Sequence, residues 1–228
     1  MKWWSSVIVA LMLGQVVGCQ SGPSWAVWPP WGGAISDQVP GVTSPAERIA
    51  QIRARADKAR HAAQAEREAA GRELAAMLRV EEDSMIRCEL VRALGACAGA
   101  EVDEMLAAAL KDPSNEVRIA ACEVWAARGG ADAVARLSET LGSDTDPDVR
   151  MAAARALGTT RDPAAVAALG RLLDDADPAM QYRAVESLRR VTGKDLGNDV
   201  GRWQQYVRGE LPEAQRAPSL AERLRRWF

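Results

Sequence analysis

The sequence predicts an all-α fold, a solenoid of about four stacked helix pairs, and three observations carry that expectation. First, a short phrase recurs: Asp83-Ser84-Met85-Ile86-Arg87, then Asp112-Pro113-Ser114-Asn115-Glu116-Val117-Arg118, then Asp146-Pro147-Asp148-Val149-Arg150, then Asp177-Pro178-Ala179-Met180-Gln181. Its final residues Arg87, Arg118, Arg150 and Gln181 lie 31, 32 and 31 positions apart. A constant period of this size marks supersecondary units that bury their apolar faces only by stacking. Second, apolar residues align behind each copy: Leu90, Ala121, Ala153 and Ala184, then Leu94, Trp125, Leu157 and Leu188. Such offsets form one stripe along a helix. Third, Asp112, Asp146 and Asp177 have the form of N-caps, with Pro113, Pro147 and Pro178 at the first helical position. There an Asp side chain accepts otherwise unpaired amide protons, and Pro has none to leave unpaired.

Residues 1–18 read as an export signal: Lys2 supplies the positive end, and Val7 to Leu13 form an apolar core too short to span a bilayer. The segment ends in Val16-Val17-Gly18-Cys19, which resembles the lipobox of bacterial lipoproteins. That resemblance implies cleavage before Cys19, a covalent lipid on Cys19 as the only attached group, and no other cofactor. It further implies a place in the bacterial cell envelope, anchored to a membrane and facing the periplasm. Gln20 stands where an Asp would favour retention at the inner membrane, so the outer membrane is expected. Loss of Lys2 leaves 28 Lys and Arg against 31 Asp and Glu, a balance that offers no global case for nucleic acid.

Residues 19–44 form a Pro- and Gly-rich tether containing Trp25, Trp28 and Trp31, which suit a lipid interface, the solenoid or a partner equally. Residues 45–73 are expected as one N-terminal helix that caps the stack. It opens with a capping box at Ser44-Pro45-Ala46-Glu47 and carries the only histidine, His61, on a solvated face. Residues 74–209 hold the four helix pairs, whose first helices end at Leu78, Leu110, Leu141 and Leu173. Asp199 is expected to cap a closing helix that lays Trp203 and Tyr206 over the last pair. Residues 210–228 are a tail with a short basic amphipathic helix, in which Leu220, Leu224 and Trp227 share a side with arginines around them.

The phrase Asp-Pro-x-Val-Arg-x-x-Ala-x-x-x-Leu-Gly, read from residues 146–158, resembles the HEAT-like repeats of bacterial proteins, including the short type named for phycobilin lyases. The Thr192-Gly193-Lys194-Asp195 stretch followed by Asn198-Asp199 and Trp203 is similar to the end of HEAT-repeat lipoproteins of planctomycete-type bacteria. Gly193-Lys194 is no phosphate loop, because no Gly stands five residues earlier and no Ser or Thr follows. The family resemblance implies an ARM-type superhelix and second helices that line its concave surface. It does not name a function, since this fold serves many.

Two roles are open to the recurring Asp83, Arg87, Asp112, Arg118, Asp146, Arg150, Asp177 and Gln181. The arginines can grip an anion, or they can bond to Asp or carbonyls of the adjacent repeat. A row tied to the register of every repeat favours the structural role. The partner surface is expected one and five positions later, at Cys88, Ile119, Met151 and Tyr182 and at Arg92, Glu123, Arg155 and Glu186. Positions four apart share a helix face, and the second set alternates in sign, as in a charge ladder.

Catalytic chemistry is sparse. Cys88, Cys97 and Cys122 are an odd number, so at most one disulfide forms, and no metal spacing occurs. A Ser-His-Asp set can be drawn only through His61. The sequence therefore favours a non-enzymatic, lipid-anchored scaffold that binds a protein or peptide, with no nucleic acid and no metal. A bilin lyase-like enzyme or enzyme subunit is the alternative, and the export signal argues against it.

Overall fold

The computed structural model describes residues 43–210, which form helices and turns without a strand. Cys19, the tether with its three tryptophans and the basic tail from residue 211 lie outside the described residues. The first pair is α1 (Pro45–Arg60) and α2 (Gln64–Val80). Then come α3 (Ser84–Leu94), α4 (Ala100–Ala109), α5 (Asn115–Arg128), α6 (Gly130–Ser143) and α7 (Pro147–Thr160). α8 (Ala165–Arg171) runs on into a single 3-10 turn at Leu172–Asp174, and α9 (Pro178–Thr192) and α10 (Val200–Val207) complete the order.

The helices start where side chains satisfy their free amides. Ser44 Oγ accepts from the Glu47 amide at 3.2 Å, and Glu47 Oε2 accepts from the Ser44 amide at 2.9 Å. Asp83, Asp146, Asp177 and Asp199 each accept from the first turn of their own helix. Asp112 does not. It precedes the N-cap of α5, which is Ser114, and Pro113 stands outside the helix. The cause is the longer 112–118 phrase. Six residues before the anchor stand Glu81, Asp112, Asp144 and Asp175, and four before it stand Asp83, Ser114, Asp146 and Asp177. Asp112 belongs to the first set, and its Oδ1 accepts from the Ser114 amide at 2.9 Å, as Asp144 Oδ1 does from Asp146 and Asp175 Oδ1 from Asp177.

Two layers result. The odd-numbered helices stack in the order α1, α3, α5, α7, α9, while the even-numbered helices cover one side of them. The apolar stripe faces between the layers: Ile86, Val117, Val149 and Met180, with the Leu90, Val91 and Leu94 sets and their counterparts, are each no more than 3 % exposed. Small residues let the odd helices come close. A Cβ on Gly158 would lie 2.8 Å from Ser187 of α9, whose Oγ donates to the Ala154 carbonyl at 2.9 Å. Trp125 of α5 reaches between α4 and α6, donating Nε1–H to the Leu106 carbonyl at 3.1 Å while Arg136 lies 4.8 Å over its ring. A cleft lined by Leu110, Lys111, Glu139 and Asp144 separates those two helices.

The single helix expected over 45–73 is two helices. α1 ends at Arg60, His61 is its exposed C-cap, and α2 starts at Gln64 after an extended Ala63 with no side-chain cap. No Gly or Pro marks the break. Burial of Ile52, Ala56 and Ala59 on one side and Leu74, Ala75 and Leu78 on the other folds α2 back along α1 and α3. Tertiary packing overrides local helix propensity here. Gly71 is buried in α2, and a Cβ there would lie 2.6 Å from Val102 of α4. α1 is thus the first member of the odd layer, and the stack begins before residue 74. At the far end Trp203 of α10 is fully buried, packs edge-on to Tyr206 with centroids 5.8 Å apart, and donates Nε1–H to the Gly197 carbonyl at 2.9 Å.

Candidate functional site

The recurring arginines sit at one edge of the odd layer and join successive repeats. Arg87 grips Asp112 with two bonds, Nε to Oδ2 at 3.0 Å and Nη2 to Oδ1 at 2.9 Å, while its Nη1 donates to the Glu82 carbonyl at 2.6 Å. Arg118 repeats the arrangement on Asp144 at 2.8 and 3.1 Å and on the Asp112 carbonyl at 2.8 Å. Arg150 approaches Asp175 only to 3.9 Å, and its buried Nε makes no hydrogen bond. Arg48 of α1 pairs with Glu81, so the row extends one helix earlier than the sequence phrase. Gln181 closes it by donating to the Asp175 carbonyl of its own turn at 2.7 Å. Asp146 also accepts from Asn115 Nδ2 at 3.0 Å, while Asp83 and Asp177 serve their own helices. Glu81, Asp112 and Asp144 each order their own turn and receive the arginine of the preceding repeat. Fork-to-fork pairing of this kind fixes orientation as well as distance.

One residue further along, the odd helices present a different face. Ile119 and Met151 are half-buried there, Tyr182 is exposed, and Cys88 is buried. Cys88 therefore does not belong to a partner surface. This position is buried in the first repeat, half-buried in the next two and exposed in the last. Burial raises the thiol pKa of Cys88 and of Cys97, and pushes that of Cys122 up to about 12, with Asp144 and Glu123 adding to the effect. All three thiols are free and buried, which makes them poor nucleophiles.

The alternating charges do not form one ladder. Arg92 Nε lies 3.6 Å from Glu123, but Glu186 pairs with Arg189 of its own helix, and Arg155 has no ion pair among the described residues. Glu89 does the joining that the sequence left unassigned. It accepts two bonds from Arg53 of α1, at 2.9 and 3.0 Å, and one from Arg92 at 3.3 Å. The hydrogen bond from Arg53 holds the Glu89 carboxyl below the usual carboxylate range, and Arg92 adds to it. Arg183 stands at the same place in α9. Both lie two residues after the anchor, where α5 and α7 carry Ala120 and Ala152. Only the equivalence of Ser44-to-Arg48 with Asp83-to-Arg87 signals that α1 would supply Arg53 to this row.

Between the odd helices run shallow open grooves with small residues at their base. The one between α5 and α7 has a volume of ≈ 550 Å³ and is lined by Ile119, Ala126, Ala127, Ala152, Ala156 and Thr159, with Glu123 and Arg155 at its rim. Equivalent grooves open between α1 and α3 and between α3 and α5. Among the described residues no cluster of three or more His, Cys, Asp or Glu side chains could hold a metal ion. The arrangement offers a mixed apolar and charged surface across successive odd helices.

Two layers of paired helices, joined by a repeat-to-repeat register of arginines and acids, define an α-solenoid with an open face. The profile of HEAT repeats matches residues 71–154 and 138–198, and the chain belongs to the HEAT-repeat family. No curated protein matches it. HEAT repeats commonly serve as scaffolds for protein interaction.

Proposed function

We propose that the protein is a non-enzymatic scaffold, tethered to a bacterial envelope membrane through a lipid on Cys19, that presents its odd-helix face to a protein or peptide. The face itself carries this reading. It is continuous over five helices, grooved, and built from half-buried apolar side chains among charges, with Tyr182 54 % exposed. Apolar anchors ringed by polar groups are what recognition of a peptide or helix needs. No described helix is long and apolar enough to cross a membrane, and membrane attachment in this reading rests on the Val16-Val17-Gly18-Cys19 motif.

Photo-crosslinking in intact envelopes tests the scaffold. A photoreactive residue at Ala127, which lines two of the grooves, should give one discrete adduct, and one at Lys111 in the even-layer cleft should give none. Equal adducts from both positions would remove the odd-helix face from the function. Cys19→Ser should abolish palmitate incorporation and release the chain from membranes, and persistent labelling would refute the anchor.

A further inference from the structure

The odd-helix face is neutralised internally over its first half and not over its second. Arg53, Glu89, Arg92 and Glu123 form one connected series across α1, α3 and α5. Beyond it, Arg155 of α7 and Arg183 and Arg190 of α9 have neither an ion pair nor a hydrogen bond through their side chains among the described residues. The Nε–H of Arg183 is moreover buried without an acceptor. Three guanidinium groups without a partner leave this end of the face with positive charge that no side chain among the described residues neutralises. Arg183 and Arg190 are two turns apart on α9, and Glu186, the acid between them, is already held by Arg189. Tyr182 and Met151 lie on the same stretch.

We propose that the α5–α7–α9 end of this face binds an acidic amphipathic peptide segment of another protein, its carboxylates taken by Arg155, Arg183 and Arg190 and its apolar side chains by the α5–α7 groove. The inference rests on the odd-helix face being the partner surface and names the chemistry of its partner. Guanidinium forks match carboxylates in two-point contacts, and the Ala-based groove beside them suits aliphatic side chains. Phosphate would use the arginines alone and leave Ile119, Met151 and Tyr182 without a role. The chain's own outlying segments have the wrong charge: residues 211–228 hold Arg216, Arg223, Arg225 and Arg226 against Glu213 and Glu222, and residues 20–42 hold only Asp37.

The test uses the full chain carrying Cys19→Ser, so that no acyl chain contributes. Its probe is a fluorescein-labelled 16-residue peptide of Glu, Leu and Ala, compared with the same peptide carrying Gln for every Glu. Fluorescence anisotropy should show the Glu peptide binding at least tenfold more tightly than the Gln peptide, with affinity falling as salt rises. Arg155→Glu with Arg183→Glu should remove that advantage. Arg171→Glu, exposed on α8 of the even layer, should leave it unchanged, and circular dichroism should report the same helicity in all variants. If both peptides bind equally, ignore the arginine reversals and are lost on Ala127→Trp, the face stands and the acidic preference falls. If neither peptide binds, the acidic preference and the face both fall. If phosphatidylglycerol–phosphatidylcholine vesicles bind more tightly than the Glu peptide and lose binding in the same variant, the site belongs to a lipid surface and the proposal is overturned.

Discussion

Arg118 and Arg155 stand on neighbouring helices of the same layer and have opposite fates. Arg118 lies at the repeat edge, 14 % exposed, with three of its N–H groups committed to Asp144 and the Asp112 carbonyl. Arg155 lies one turn beyond the corresponding edge position, exposed and unpaired. The edge must recur because each repeat has to meet the next at the same angle. The face is under no such constraint, and its charges change from repeat to repeat. The difference separates what the period exists to preserve from what it leaves free for recognition.

The comparison breaks most visibly at the edge. Arg118→Ala leaves Asp144, which is only 9 % exposed, with the Asp146 amide alone, and should cost about 3 kcal/mol in urea unfolding followed by circular dichroism. A loss below about 0.5 kcal/mol would mean that the edge does not set the stacking. Gly158→Ala should cost about 1–3 kcal/mol by forcing α7 from Ser187, whereas Gly142→Ala, with open space around it in α6, should be neutral or stabilise by up to about 1 kcal/mol. On the face, the Arg53–Glu89 pair should be worth on the order of 1 kcal/mol or less, since Arg53 is 64 % exposed. Its pH dependence follows from the lowered Glu89 pKa. Folding is favoured by the carboxylate above its unfolded value of about 4.3, and that contribution is lost as pH falls through the lower folded value. Glu89→Gln should therefore narrow the stability difference between pH 7 and pH 3, and an unchanged slope would detach Glu89 from the network. Smallest of all, Arg155→Ala and Arg190→Ala should shift stability by no more than about 0.5 kcal/mol.

These differences also account for what could be read from the residues alone. The Asp146–Gly158 copy displays cap, anchor and apolar stripe together, and its periodicity makes the layered helices legible. Asp112 misleads because the eye aligns Asp-Pro pairs, whereas the geometry counts six residues back from the arginine. The break at residues 61–63 has no local signal, because it is imposed by where Leu74 and Leu78 must be buried. Cys88 shares its register with Ile119, Met151 and Tyr182, and the period carries no trace of its burial. Glu89 and Arg183 are hidden for the opposite reason: the repeat has Ala at their place in α5 and α7, so the period carries no trace of their pairing or its absence.

The row of arginines and acids has a direction, from the donor of one repeat to the acceptor of the next. At its last position Gln181 replaces the donor and turns back on its own carbonyl. Repeats that stack by a uniform interface could in principle add copies head to tail into an open filament. With Gln181 in the donor's place, the last anchor position carries no arginine for the acid of a further repeat.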